Sequence, residues 1–384
     1  MTRPLRIALL THSTNPRGGV IHALSLGDAL AQLGHGVVAH APDSKGQGFF
    51  RPTRCNTVSI AAKEANGDLH DLVEMRVAEL LLHFEDPTRR RFDIFHAGDG
   101  ITGAALAILK ERGAIAGFAR TVHHLDFFAD PRVAAFQRRS IETADEILVV
   151  SEKWRREIAS CLGRTATLVG NGVDIGRFTT EDGRAPVLRR RLGLGGGPLF
   201  LSIGGVEERK NSFHILEAFI QVQNHFRSAQ LIIAGGASLL DHQAYQQMFA
   251  AELAASGLSE DAVVITGPLA EADMPALYRI ADALVFPSLN EGFGLVVLEA
   301  MASGTPAIVS RQPPFTEYIG EDDALWCDPA SPDTIAEAMV RVLAEPLRSR
   351  VIAGGHAVAA RHDWGAVARN HLAAYARLME TAHA

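Results

Sequence analysis

The 384-residue chain is predicted to be an α/β protein of two doubly wound domains, and three observations predict it. Short apolar runs of strand length alternate with helical stretches along the chain, the pattern of parallel sheets covered by helices on both faces. A turn-rich passage over 171–198 interrupts that rhythm once, after which it restarts. Composition agrees: 47% of the residues are hydrophobic and 21% charged, ordinary globular usage, with length for two or three domains of about 150 residues.

In the first domain the apolar run 6–11 stops at a polar, glycine-containing loop, 12–19, and a helical pattern follows over 20–33. Gly34-His35-Gly36 turns the chain into the next run, 37–40. The same unit recurs as a strand at 93–96 with a helix from Thr102, a strand at 118–122, and a strand at 146–150 with a helix from Ser151. Asn171-Gly172-Val173-Asp174 is a turn signal, and 184–198 is charged and rich in glycine and proline, so the interdomain linker is placed here. Strands at 199–203, 229–234, 262–266, 283–286 and 306–310 then alternate with helices from Ser212, His242, Met274 and Gly294. The domains are expected at 1–180 and 181–365. A last helix within 366–384, with Val367, Leu372, Tyr375 and Leu378 as its apolar positions, is free to join either one. Open sheets of this kind bind ligands at the carboxyl ends of their strands, so a cleft between the two sheets is the expected site.

Several function classes are excluded early. A net charge of -7 argues against a nucleic-acid partner. Cys55, Cys161 and Cys327 are odd in number and widely spaced, which leaves no disulfide framework and no thiolate zinc site and suits a reducing cytoplasm. The apolar stretch 5–10 is too short for a signal-peptide core, and no run reaches the roughly 18 to 20 apolar residues of a membrane span. A cytoplasmic protein is expected, with peripheral membrane contact left open and the oligomeric state unset. The glycine-rich stretch 193–197 leads into a strand, the wrong order for a dinucleotide site, and nucleotide-loop, nucleophile-elbow and zinc-protease motifs are missing. Asp-x-Asp is missing too, so no metal site is expected.

The most informative segment is 286–306, FPSLNEGFGLVVLEAMASGTP. A strand ends at a glycine-flanked loop and a helix begins near Gly294, so the amides of Phe293, Gly294 and Leu295, with the positive end of the helix dipole, form an anion site. Glu291 precedes this site and Glu299 follows eight residues later, a span of roughly 12 Å if helical throughout. Carboxylates are poor neighbours for phosphate but strong acceptors for sugar hydroxyls. Standing alone, such a pair would more often be a helix cap and a surface ion pair. The strand, glycine loop and helix around it reverse that balance.

With these residues in place, the sequence resembles glycosyltransferase family 4, the retaining group with the GT-B fold of two Rossmann-like domains facing a central cleft, over nearly the whole chain. The Glu-x7-Glu of Glu291 and Glu299 carries the resemblance, together with Gly18-Gly19, Thr121-Val122-His123, Ala144-Asp145 through Ser151-Glu152, Asn171-Gly172-Val173-Asp174 and Lys210. The resemblance implies that Glu291 contacts the donor sugar and Glu299 the nucleotide ribose. It also implies that His123 faces the sugar, that Gly18 and Gly19 approach the diphosphate, and that Gly267 and Pro268 lie by the base. The family commonly has an arginine five residues before its lysine; here Gly205 stands in that place and Arg209 directly precedes Lys210. Arg209 is thus either a phosphate ligand or a solvated charge paired with Glu207 or Glu208. His12, His22, His96, Asp99 and His124 carry weaker signals.

The implied activity is transfer of a hexosyl group, with retention, from a nucleoside diphosphate sugar to an unidentified hydroxyl acceptor, with no cofactor and no metal. Lys210, Arg209, Glu291 and His123 are the catalytic candidates; Gly18, Gly19, Gly267, Pro268, Phe293, Gly294, Leu295 and Glu299 are the donor-binding ones. A nucleotide-sugar epimerase or phosphorylase, or a non-catalytic nucleotide-sugar binding protein, are the alternatives. Acceptor choice is expected in loops such as 43–66.

Overall fold

The computed structural model describes residues 3–65, 67–236 and 242–382. The chain divides into two compact units, Met1–Asn171 with Trp364–Ala384, and Gly172–Asp363. The division therefore falls at 171/172 and 363/364, not at 180 and 365.

The first unit runs β1 (Arg6–Leu10), α1 (Gly18–Gln32), β2 (Gly36–Asp43), β3 (Asn56–Ala61), α2 (Leu69–Glu85), β4 (Ile94–Ala97), α3 (Gly100–Glu111), β5 (Ala119–Val122), α4 (Pro131–Glu142), β6 (Glu146–Val149), α5 (Glu152–Leu162) and β7 (Thr167–Leu168). Among the described residues its sheet is parallel and ordered β3-β2-β1-β4-β5-β6-β7. The central strands are almost wholly buried because helices cover both faces, and β4 is buried at every position although it carries His96.

Four elements of this unit, β3, α2, α4 and β7, lie where the sequence reading assigned neither helix nor strand. In β3 a single residue, Ile60, is buried, so an edge strand carries almost no hydrophobic alternation to detect. In α2 the buried Val73, Val77, Leu80 and Phe84 recur at helical spacing behind an Asp68 cap, a legible signal passed over.

The second unit runs α6 (Ile175–Thr179), α7 (Arg184–Arg191), β8 (Leu199–Ile203), α8 (Ser212–Gln223), β9 (Gln230–Ala234), α9 (Gln243–Ala255), β10 (Val263–Gly267), α10 (Met274–Ile280), β11 (Ala283–Phe286), α11 (Leu295–Ala302), β12 (Ala307–Ser310), α12 (Phe315–Tyr318), β13 (Leu325–Cys327), α13 (Pro332–Arg341) and α14 (Leu347–Arg361). Its parallel sheet is ordered β10-β9-β8-β11-β12-β13. The passage taken from sequence as a linker is largely part of this unit. Phe178 is buried edge-on against Tyr278, Arg177 pairs with Glu271 at 2.7 Å, and Arg191 pairs with Asp273 at 2.6 Å. Charged, turn-rich composition concealed these helices because they are short and anchored by ion pairs more than by an apolar stripe. The unit's first and last residues lie side by side, with the Val173 amide donating to the His362 carbonyl at 2.8 Å.

The last helix, α15 (Trp364–Ala382), belongs to the first unit. Trp364, Val367, Ala368, His371, Ala374, Tyr375 and Leu378 form its buried face; Leu372 lies at the edge of that face and stays partly exposed. Among the described residues no helix is long and apolar enough to cross a membrane.

α15 closes over a polar core. Its Tyr375 hydroxyl is 2.7 Å from Nδ1 of His96, whose Nε2 is 2.7 Å from Oγ1 of Thr121. The His371 ring lies 5.6 Å from those of both His96 and His22. Burial pushes the imidazole of His22 down to about 4, although a hydrogen bond with Asn171 pulls the other way. Burial, reinforced by His22, pushes His371 down to about 3.

Between pH about 6.5 and these lowered values the unfolded chain binds protons that the folded chain refuses, so stability is present above the window and is lost as pH falls through it. The melting temperature should fall from neutral pH toward pH about 5. Replacing His371 by Leu should remove about 1 to 2 kcal/mol of that loss. Calorimetry at the two pH values checks this; an equal drop in the variant would count against it.

Candidate active site

In a doubly wound sheet the chain leaves neighbouring central strands toward opposite faces, so the loops after them diverge and leave a crevice. In the second unit those strands are β8 and β11, paired at Phe200–Ala283 and Leu201–Leu284. The loop after β8 carries Arg209 and Lys210, and the loop after β11 carries Glu291.

The two loops are stitched together. Arg209 offers its carbonyl to the Leu289 amide at 2.9 Å, and the Ser288 hydroxyl, whose one proton is shared with Glu291, lies 2.8 Å from the same oxygen. Asn211, in the left-handed conformation at φ 63°, donates its side-chain amide to the carbonyls of Pro287 (3.1 Å) and Pro329 (2.7 Å). Within this frame Oε1 of Glu291 accepts from Nζ of Lys210 at 2.6 Å, from a guanidinium nitrogen of Arg209 at 2.6 Å and from the Ser288 hydroxyl at 3.0 Å. Lys210 and Glu291 are each only 8% exposed, and the Lys210 ammonium sits 4.5 Å above the Phe286 ring.

Burial disfavours the Glu291 carboxylate most, but the charges of Lys210 and Arg209 and the hydrogen bonds of Lys210 and Ser288 outweigh it and hold the group at about 2. Burial lowers the Lys210 ammonium below its ordinary value, with Glu291 opposing. The junction is an ionised carboxylate with cations on one oxygen. Arg209 does not pair with Glu208; its second nitrogen lies 3.7 Å from Glu207, and its closest partner is Glu291 itself.

Gly205, where the resemblance led to an expectation of arginine, is held at φ 77°, and a Cβ there would meet the carbonyl oxygens of Gly235 and Gly236 at 3.2 Å. The backbone excludes a side chain at this position, and Arg209 carries the guanidinium of this loop.

Gly294 caps α11 at φ 93°, and a Cβ on it would lie 2.6 Å from the Phe315 ring. Phe293 before it is stacked on Tyr318 at 4.5 Å and 7°, and Tyr318 donates to the Phe293 carbonyl at 3.1 Å. The turn that presents the amides of Phe293, Gly294 and Leu295 is therefore rigid, and at a helix start such amides have no intrahelical acceptor.

Glu299, inside α11, is 9% exposed, and its Oε2 accepts from the Tyr278 hydroxyl at 2.6 Å. Burial raises its carboxyl to about 7, with Tyr278 and Arg177 opposing and Glu271 assisting. Gly267 ends β10 and offers its carbonyl to the Gly235 amide at 3.0 Å, with Pro268 next in the chain.

In the first unit Gly18 and Gly19 open α1, and a Cβ on Gly19 would lie 3.6 Å from Cδ2 of His123 at the end of β5. The His123 ring meets His22 edge-on at 4.7 Å, and among the described residues its buried Nε2 has no hydrogen-bond partner. Burial holds it neutral, helped by His22. His96 is engaged at both nitrogens within the core, and Asp99 caps α3 while accepting from His12, so these two are structural groups. His124 is exposed and faces Asp126 at 3.1 Å.

Lys210, Arg209 and Glu291 thus meet at one point, and Glu299 stands farther along the helix that begins beside it. Sequence reasoning missed Ser288, Asn211, Tyr318 and Tyr278, whose roles depend on chain segments brought together only by folding. Among the described residues one group, Asp68, His70 and Asp71 at the start of α2, has metal-like spacing, and it lies in none of these loops.

Residues 16–177 match the family model of Glycosyltransferase Family 4, and residues 186–358 match that of Glycosyl transferases group 1. The GDP-mannose-dependent alpha-(1-6)-phosphatidylinositol monomannoside mannosyltransferase of Mycobacterium tuberculosis is 27% identical over 380 residues, covering 94% of this chain and 93% of that protein. Sucrose-phosphate synthase from Thermosynechococcus elongatus has the same fold, with a TM-score of 0.79 at 21% identity over 98% of this chain and 100% of that one. So does an Anabaena protein crystallised with UDP and glucose, with a TM-score of 0.77 at 17% identity over 96% and 98%. The solved structures share the fold, and the two family models, which account for both halves, lead to one conclusion: the chain belongs to family 4 of the glycosyltransferases.

Proposed function

We propose that the chain is a retaining hexosyltransferase that moves mannose from GDP-mannose to a hydroxyl group of an inositol-containing acceptor. The convergence of Lys210 and Arg209 on Glu291 carries the enzymatic part of this reading. The name of the mycobacterial relative supports the donor and the acceptor class.

In this reading the glycosidic bond to the β-phosphate breaks and its electron pair leaves with the phosphate oxygen. Lys210, Arg209 and the amides of Phe293, Gly294 and Leu295 take up the developing charge, in place of a metal. The acceptor oxygen bonds to the anomeric carbon on the face just vacated, and its proton passes to the departing phosphate oxygen. Glu291 orients sugar hydroxyls. An oxygen that already accepts three hydrogen bonds, on a carboxyl held near 2, is a weak nucleophile, which favours same-face attack over a covalent intermediate. Glu299 accepts from the ribose, Gly267 and Pro268 lie by the base, and Gly18, Gly19 and His123 are assigned to the donor on the family resemblance. The three cysteines are free, which suits a cytoplasmic setting.

Incubating the protein with GDP-mannose and a panel of inositol, inositol phosphate and phosphatidylinositol acceptors tests the proposal. GDP should appear only when an acceptor is present, and proton NMR of the first product should show an α-linkage. A β-linked product, or release of UDP from UDP-glucose in preference to GDP, would overturn the mechanism or the donor respectively. In the same assay Glu291→Gln should lower turnover and leave GDP affinity within about threefold, since it disturbs the sugar and not the ribose.

Glu299→Ala should weaken GDP binding by roughly 10- to 100-fold, the worth of a hydrogen bond to a charged group. Calorimetric titration measures it, and unchanged affinity would remove Glu299 from the ribose.

Lys210→Ala should reduce kcat by more than it raises the donor dissociation constant, because its charge is most useful as the diphosphate departs. Steady-state kinetics on protein verified as folded by circular dichroism would separate this from simple gripping of the bound donor, which would raise KM alone.

A further inference from the structure

Tyr278 lies on α10, is fully buried, and has no place in the site as the sequence motif defines it. Its position is determined on three sides. Its ring meets Phe178 of α6 edge-on at 5.8 Å, its carbonyl accepts from the Thr305 hydroxyl at 2.7 Å, and its own hydroxyl is 2.6 Å from Oε2 of Glu299. Among the described residues Oε1 of Glu299 accepts no hydrogen bond from the protein.

We propose that Tyr278 is a positioning residue for the donor nucleotide: it holds Oε2 of Glu299, turning Oε1 toward the ribose hydroxyls, and thereby couples donor binding to release of a proton from Glu299. This inference rests on the assignment of Glu299 to the ribose. The chemistry balances simply. The free protein near neutral pH holds part of its Glu299 as the carboxylic acid; ribose hydroxyls need an acceptor, so the acid's proton passes to solvent as the donor binds.

The charged surroundings agree. Burial in α11 disfavours the Glu299 carboxylate and raises the group to about 7, Glu271 in the turn before α10 acts in the same direction, and Arg177 of α6 opposes them. On the other flank α14 places His356 against Gly304, and β11 and β12 contribute no charged side chain. The Tyr278 hydroxyl stabilises the ionised form of Glu299, so its loss should move the Glu299 midpoint upward.

The test is calorimetric titration of the intact protein with GDP-mannose from about pH 6 to about pH 8.5, in buffers of differing ionisation enthalpy. A sugar nucleotide suits the experiment because its diphosphate is esterified at both ends and does not titrate in this range. Wild-type affinity should fall about tenfold from the upper to the lower pH, with close to one proton released at pH about 6 and almost none at about 8.5. Tyr278→Phe should bind about tenfold more weakly at pH about 7.5, recover toward higher pH, and release protons over a range displaced upward. Glu299→Gln should bind weakly with no pH dependence.

Tyr278→Phe with the wild-type midpoint and proton count would overturn the proposal even if its affinity fell, since a packing role alone predicts that result. Should this variant fail to fold, wild-type protein that exchanges no protons across the range overturns it equally. Glu299→Gln that binds as well as wild type at about pH 8.5 would overturn the ribose assignment itself, a result distinguishable from failure of Tyr278 alone.

Discussion

One buried contact organises the second unit: a carboxylate oxygen of Glu291 shared by Lys210, Arg209 and Ser288. Removing such ions from water costs several kcal/mol each, and the cost is offset only when geometry is exact and every remaining donor and acceptor is used. The surrounding loops supply much of that geometry. Backbone and side-chain hydrogen bonds from Ser288, Leu289 and Asn211 tie two segments about eighty residues apart, and the parallel pairing of β8 with β11 brings their ends together. Gly204 follows from the same constraint, since a Cβ on it would lie 2.5 Å from Cε of Lys210.

The two units solve the problem of polar groups in a core differently. The second keeps ions and pairs them. The first, beside the Arg76–Glu79 ion pair at 2.6 Å, gathers histidines and keeps them neutral, with Tyr375, Thr121 and Asn171 as hydrogen-bond partners. Neutral imidazoles avoid the desolvation penalty of ions at neutral pH but acquire it when protonated. α15 depends on that core because its buried face carries both His371 and Tyr375.

Much of the architecture was legible from short patterns. Most central strands announced themselves as apolar runs bounded by glycine or polar turns, because parallel strands covered on both faces are mostly apolar; β4 and β5 depart from this with buried His96, Arg120 and Thr121. Glu291 and Glu299 were legible because one strand, turn and helix carries both. Edge strand β3 was not, having one buried residue, and α6 and α7 were read as linker because ion pairs to Glu271 and Asp273 anchor them. Arg209 could be narrowed only to two roles, because its partner Glu291 lies 82 residues away.

The sequence by itself determined the α/β class, the duplication of the doubly wound pattern, the acidic pair on its glycine-started helix and the lysine that serves it. These are properties of local periodicity and of residues close together in the chain. Only the tertiary structure decided that α15 completes the first unit, that a side chain at Gly205 would crowd the carbonyls of Gly235 and Gly236, and that Tyr278 rests on Glu299. Those outcomes depend on distances between segments that no local pattern encodes: the 2.6 Å hydrogen bond between residues 21 apart, and the closeness of the loops after β8 and β9 that would leave a Cβ on Gly205 only 3.2 Å from two carbonyl oxygens, arise when β8, β9, β10 and β11 take their places in the sheet.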